Sequence, residues 1–196
     1  HGGEASLDEI HIIPIDDENT AQLAFEAGDI HYTRVPMSSV ANLKDSPPAN
    51  SMVEEYPSLY YVWVGMNVEN ELLSNQNLRK AIQHAIDVPS IMQASYFGAA
   101  VPSTGIIAPG LTGHRAESLV APEANVARAK EYLDASGLSG NVRVTLDILN
   151  KAANVTTAQV IQANLAQVGI TLDINLHESG AFWSLGDDTA GDRYKD

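Results

Sequence analysis

Apolar positions recur along this chain with two periods, and each predicts an element where it holds. Leu78, Ala81, Ile82, Ala85 and Ile86 mark one helical face, with Arg79, Lys80, Gln83 and His84 off it. Asp87 is placed to cap a second helix, with Pro89 in its first turn and Ile91, Met92 and Tyr96 following. Pro122 is expected to open a further helix through Val126, Ala129, Lys130 and Leu133, stopped at Gly137. Val142, Val144, Leu146 and Ile148 alternate with Arg143, Thr145 and Asp147, the pattern of a half-buried strand. Thr156 or Thr157 is predicted to cap a helix carrying Ala158, Ile161, Leu165 and Val168. Gly169 breaks it, and Leu172, Ile174 and Leu176 alternate again. Strand, helix, strand is a βαβ unit, so the class is α/β.

The first third reads less regularly. Ile10 to Ile15 is β-branched and apolar, a strand candidate. Asp16-Asp17-Glu18-Asn19 offers capping oxygens to a helix through Ala21, Leu23, Ala24 and Phe25, closed at Gly28. Asp29 to Tyr32 reads as a short strand, and Pro36 as the start of a short helix with Met37, Val40 and Leu43 on one side. A loop at Asp45 to Asn50 precedes two strand-like runs, Ser51 to Tyr56 and Leu59 to Met66, on either side of Pro57. Gly98 to Gly113 reads as an irregular loop.

Composition narrows the function. With 11 Lys and Arg against 25 Asp and Glu, the net charge is -14, which repels nucleic acid and anionic bilayers. No cysteine is present, so disulfides, thiolate chemistry and Cys-type zinc sites are excluded. No run approaches the roughly 18 apolar residues of a membrane span. The six histidines form no His-x-x-x-His pattern, no Gly-x-Ser-x-Gly elbow exists, and no loop cradles phosphate. The acidic clusters at Asp16 to Asn19 and Asp187 to Asp192 lack calcium-loop spacing and read as a helix cap and a solvated face. No catalytic residue, metal or cofactor is expected. His1-Gly2-Gly3-Glu4 is neither a starting methionine nor an export signal, and both ends look interrupted.

Several segments, in order, resemble the family 5 extracellular solute-binding proteins, the dipeptide- and oligopeptide-binding components of ABC importers. The most specific is Asn67 followed by Leu78-Arg79-Lys80-Ala81-Ile82-Gln83-His84-Ala85-Ile86-Asp87, similar to the family's N … R-x-A-[IL]-x-x-A-[IL]-[DN] signature. Leu7 to Pro14 with Ala27-Gly28-Asp29-Ile30, Tyr96 to Gly110, Pro122 to Gly137 and Ala158 to Ile170 carry the rest. Two positions depart: His31 stands where the family has Asp, and Ala121 precedes Pro122 where Asp is usual.

The resemblance implies a periplasmic-binding-protein type II-like fold, a mixed sheet with βαβ units, and a fragment of a two-lobed protein. Residues 1–66 would be a partial lobe-one segment leading to the hinge, and 67–196 most of lobe two. It implies capture of a peptide or similar small solute and delivery to an ABC transporter permease, from a periplasmic or cell-surface lipoprotein location, as a monomer in the full-length form. Tyr61 and Trp63 would line the cleft with Asn67, although strand aromatics serve core packing equally well. Asn150 and Lys151 follow a strand's carboxyl end, where ligands gather in open α/β sheets. The family places a basic residue for the ligand's carboxylate there, and Lys151 is the nearest match; the competing reading is a solvated surface lysine. Two other functions are weighed: a ligand-sensing module of a regulatory protein with the same fold, and a hydrolase using surface serines.

Overall fold

The structure is a computed structural model that describes residues 6–56, 58–138 and 140–186. The chain divides into two compact units, His1–Tyr56 and Pro57–Asp196.

The first unit holds helix α1 (Glu18–Ala27), a 3-10 turn (Met37–Ser39) and helix α2 (Val40–Asp45). Asp17 caps α1 as its position predicts, its carboxylate accepting from the Thr20 amide at 2.8 Å. That hydrogen bonding, first from the Thr20 hydroxyl, holds the Asp17 carboxyl below its usual range.

The second unit is built on helices α3 (Gln76–Ala85), α4 (Val88–Tyr96) and α5 (Val126–Ala135), then strand β1 (Val142–Leu149), helix α6 (Ala152–Ala166), strand β2 (Ile170–His177) and helix α7 (Ser179–Ser184). β1 and β2 pair in parallel from Val142 opposite Ile170 to Leu149 opposite His177. The predicted βαβ unit is thus present. Its alternation sorts the two faces: Val142, Val144, Ile170 and Leu172 are buried, while Arg143, Thr145, Asp173 and Asn175 lie on the other side. On the polar side Arg143 Nη1 stands 2.7 and 2.6 Å from the Asp173 carboxylate oxygens. Gly169 turns α6 into β2 at φ +85°, a conformation that L side chains resist.

Helix α6 presents Ile161 and Leu165 to the sheet, and α3 adds Leu78, Ala81 and Ile82 to the same core. Two asparagines join α3 to α5. Asn75 Oδ1 caps α3 by accepting from the Asn77 and Leu78 amides, and its Nδ2 donates to the Ser136 carbonyl at 2.9 Å. Asn77 Nδ2 donates to the Ala135 carbonyl at 2.9 Å. Both satisfy carbonyls that the end of α5 leaves without helical partners. Asp87 caps α4 as predicted, accepting from the Ser90 amide at 3.1 Å, and also from the Ala124 amide at 3.0 Å. These bonds, with the Ser90 hydroxyl contributing most, hold the Asp87 carboxyl below its usual range.

Several expectations are corrected. Ile10 to Ile15, Asp29 to Tyr32, Ser51 to Tyr56 and Leu59 to Met66 form no strand among the described residues. Their residue types favour extended backbone, but a strand exists only where a partner completes its ladder, and none of these runs is laddered to another segment among the described residues. Ile12 is accordingly 89% exposed and Tyr60 84%. Pro122 does not open a helix: its carbonyl accepts from the Val88 amide at 2.9 Å, and α5 starts at Val126 under an Asn125 cap. Neither Thr156 nor Thr157 caps α6, which begins at Ala152 because two alanines continue straight from the turn. Thr156 instead bonds the Ala152 carbonyl at 3.0 Å, and Thr157 the buried Ser95 hydroxyl at 2.8 Å. The acidic run at Asp187 to Asp192 lies outside the described residues.

Two outcomes follow for stability. Asn75→Ala removes a helix cap and strips a carbonyl of its donor, so urea unfolding should show a loss of about 2 kcal/mol with an unchanged m-value. Because the Asp87 carboxyl titrates below its ordinary 3.8, its contribution is full above that value and fades as pH falls through the lowered one. Asp87→Asn should therefore flatten the acid limb of stability against pH below about 4, measured by thermal melts, and an unaltered limb would refute the linkage.

Candidate functional site

The candidate site lies where β1 ends and the chain turns into α6. Lys151 donates its amide to the Leu149 carbonyl at 2.8 Å, and Asn150 donates its amide to the His177 carbonyl at 2.8 Å. The turn is thereby pinned to the last residue of β2. The Asn150 side chain adds a bond from Nδ2 to Glu178 Oε1 at 3.0 Å. One pleat below, Asp147 Oδ1 receives His177 Nε2 at 2.6 Å and Asn175 Nδ2 at 3.2 Å. The parallel register causes this grouping, since it sets Asp147 opposite Asn175 and Leu149 opposite His177.

Within this frame Lys151 is the cation left over. Its side chain is exposed, and it forms no ion pair among the described residues. It is also the residue that precedes α6, whose N-terminus has no side-chain cap. A 15-residue helix carries partial positive charge there, in its uncommitted amides. Ammonium and helix terminus together favour one kind of guest, a carboxylate or similar anion.

The other expected residues sit on the run that follows Pro57. Tyr61 is half-buried, and Trp63 is 69% exposed with its indole lying against Gly65. A Cβ on Gly65 would come 2.4 Å from Trp63 Cζ3, so only glycine permits this ring position. Asn67 Oδ1 accepts from the Glu69 amide at 3.0 Å, which places it at the start of a turn. Val64, Gly65 and Met66 share a cavity of about 40 Å³ with Val144, Thr145 and Leu146 of β1. That is room for water and far below the roughly 300 Å³ of a ligand pocket. The structure thus gathers Asn150 with Lys151, and Trp63 with Gly65, while no hydrogen bond or ring contact joins Tyr61 or Trp63 to the Asn150–Lys151 turn.

Asp147, Asn175, His177 and Glu178 carry no local signal, because their grouping depends on the register of two strands 28 residues apart. Tyr96, expected as part of a helix, is half-buried. Burial pushes that phenol up from its ordinary 10.0, with the nearby Tyr60 adding and a Thr157 hydrogen bond opposing. No cluster of three or more His, Cys, Asp or Glu suited to a metal occurs among the described residues.

Known proteins share this fold. The family described as "Bacterial extracellular solute-binding proteins, family 5 Middle" matches residues 1–192. The glutathione-binding protein GsiB of Shigella flexneri serotype 5b is 26% identical over 180 residues, covering 91% of this chain and 35% of its own length. Among solved structures, the periplasmic binding protein DppA of Helicobacter pylori, in complex with the peptide STSA, superposes with a TM-score of 0.74 at 28% identity, over 86% of this chain and 32% of that one. The oligopeptide-binding protein AppA of Bacillus subtilis, with a nonapeptide, gives 0.74 at 24% identity, over 87% of this chain and 36% of that one, and shares the fold. The chain spans about a third of the length of these relatives. It belongs to the family 5 bacterial extracellular solute-binding proteins.

Proposed function

We propose that this chain is part of a binding protein that captures peptides or similar small solutes and hands them to an ABC transporter permease. The observation that carries the reading is the Asn150–Lys151 turn, with an uncompensated cation at the open N-terminus of α6, just beyond the carboxyl end of a parallel strand. Its natural guest is the C-terminal carboxylate of a peptide. The relatives support the ligand class: GsiB is named for binding glutathione, and DppA and AppA are complexed with peptides.

Tyr61, Trp63 and Asn67 contribute in this reading as a second wall of the cleft, on the segment leading to the hinge. The aromatic faces supply apolar contact to ligand side chains, and Asn67 marks where that segment enters the larger lobe. Capture works by closing two lobes around the solute, a hinge motion that converts nothing chemically. The relatives are named as binding proteins, which supports binding as the role of this chain. No helix among the described residues is long and apolar enough to cross a membrane, which accords with work in the periplasm or tethered at the cell surface.

The test uses the full-length protein and one peptide in two forms, with a free and an amidated C-terminus. Lys151→Ala should weaken the free-carboxylate peptide about 10- to 100-fold by calorimetry and leave the amidated one unchanged, as expected for one charge-assisted bond. Equal losses for both forms, or none for either, would remove Lys151 from the site.

A further inference from the structure

A second constellation lies on α3 and α5, away from the Asn150–Lys151 turn and independent of how that turn is read. The Tyr132 ring, on α5, meets two cationic groups and an imidazole ring. Lys80 Nζ stands 5.4 Å from its centroid, the Arg128 guanidinium 4.6 Å, and the His84 ring stacks on it at 5.3 Å with an interplanar angle of 15°. Arg128 also donates to the Tyr132 hydroxyl at 3.2 Å. Its one carboxylate partner is Glu131, at 2.5 Å, and Lys80 has none among the described residues.

This concentration runs against the charge of the chain. α3 and α5 carry Arg79, Lys80, Arg128 and Lys130, four of the 11 Lys and Arg, but only Glu131 and Asp134 of the 25 carboxylates. Arg79 is engaged internally, donating to the Leu73 and Ser74 carbonyls. Lys80 and Arg128 hold no such backbone role for their charged groups among the described residues. Packing alone calls for an aromatic between two helices; it does not call for two cations over that aromatic's ring, one of them without a counter-ion among the described residues.

We propose that the α3–α5 face around Tyr132 docks an acidic segment of a protein partner. The ring holds the two cationic groups close together, and a carboxylate-bearing segment would bridge them while covering the ring edge. Charge decides against extended polyanions. At physiological salt the local field reaches about 8 Å, so a short segment feels the patch alone. A bilayer or nucleic acid would also face the remainder of a chain whose net charge is -14.

Isotope-labelled chain titrated at low salt with hexaglutamate, with hexalysine and with phosphatidylglycerol vesicles tests this. Hexaglutamate should shift the amides of Lys80, His84, Arg128 and Tyr132, lose affinity as salt rises, and bind the Lys80→Gln/Arg128→Gln variant at least tenfold more weakly. If the double variant fails to fold, Lys80→Gln alone, which loses only a contact over the ring face, should still weaken binding severalfold. Shifts centred on Lys151, undiminished binding by the variants, no response to hexaglutamate, or binding of vesicles in its place would each overturn the proposal.

Discussion

One interface organises the larger unit: the apolar stripe of α6 lying on the inner face of the β1–β2 pair. Ile161 and Leu165 of α6, with Val168 just beyond its end, share one core with Val142, Val144, Ile170 and Leu172, and all seven are buried. Two parallel strands cannot be joined by a tight turn, so the crossover helix is obligatory, and its apolar face must find the sheet. A side chain of this size contributes about 1.5–3 kcal/mol when fully buried. Truncating Leu165 or Ile161 would therefore threaten the pairing of both strands, the helix and the loops they carry.

The features of the candidate site are consequences of that interface. Parallel pairing brings the carboxyl ends of both strands to one edge, and the connection that must leave β1 there becomes the Asn150–Lys151 turn. The same edge orders Asp147, Asn175 and His177 into one hydrogen-bonded group. Lys151 is not placed by any bond of its own side chain. It is placed by its own amide's bond to Leu149 and by the bond of the neighbouring Asn150 amide to His177, which is why an exposed lysine can hold a fixed position at a helix terminus. On the opposite side of the core, α3 turns its apolar stripe inward, which leaves Lys80 and His84 to meet Tyr132 of α5.

What could be read from the sequence was what local chemistry decides. The period of Leu78, Ala81, Ile82 and Ala85 gave a helix, the alternation from Val142 gave a strand, and Asp17 and Asp87 announced their caps. What could not be read was pairing. Ile10 to Ile15 and Leu59 to Met66 have strand composition, yet ladder bonds come from a second segment, and composition does not say whether one is adjacent. The start of α6 was misplaced for a related reason: Thr156 looks like a cap in isolation, but a helix already begun at Ala152 absorbs its hydroxyl. Lys151 and Asn150 were legible because a strand end precedes them. Glu178 and His177, which hold that turn, become neighbours only through a register that no local pattern encodes.

Amide hydrogen exchange resolved along the chain tests the dependence on this interface most directly. The α6 amides from Ala158 to Leu165 and the paired amides of β1 and β2 should exchange slowest and together, with residues 59–66 exchanging far faster. Protection of 59–66 equal to that of β1 would mean that this run is a true third strand, and that the two-stranded unit is not what holds the rest in place.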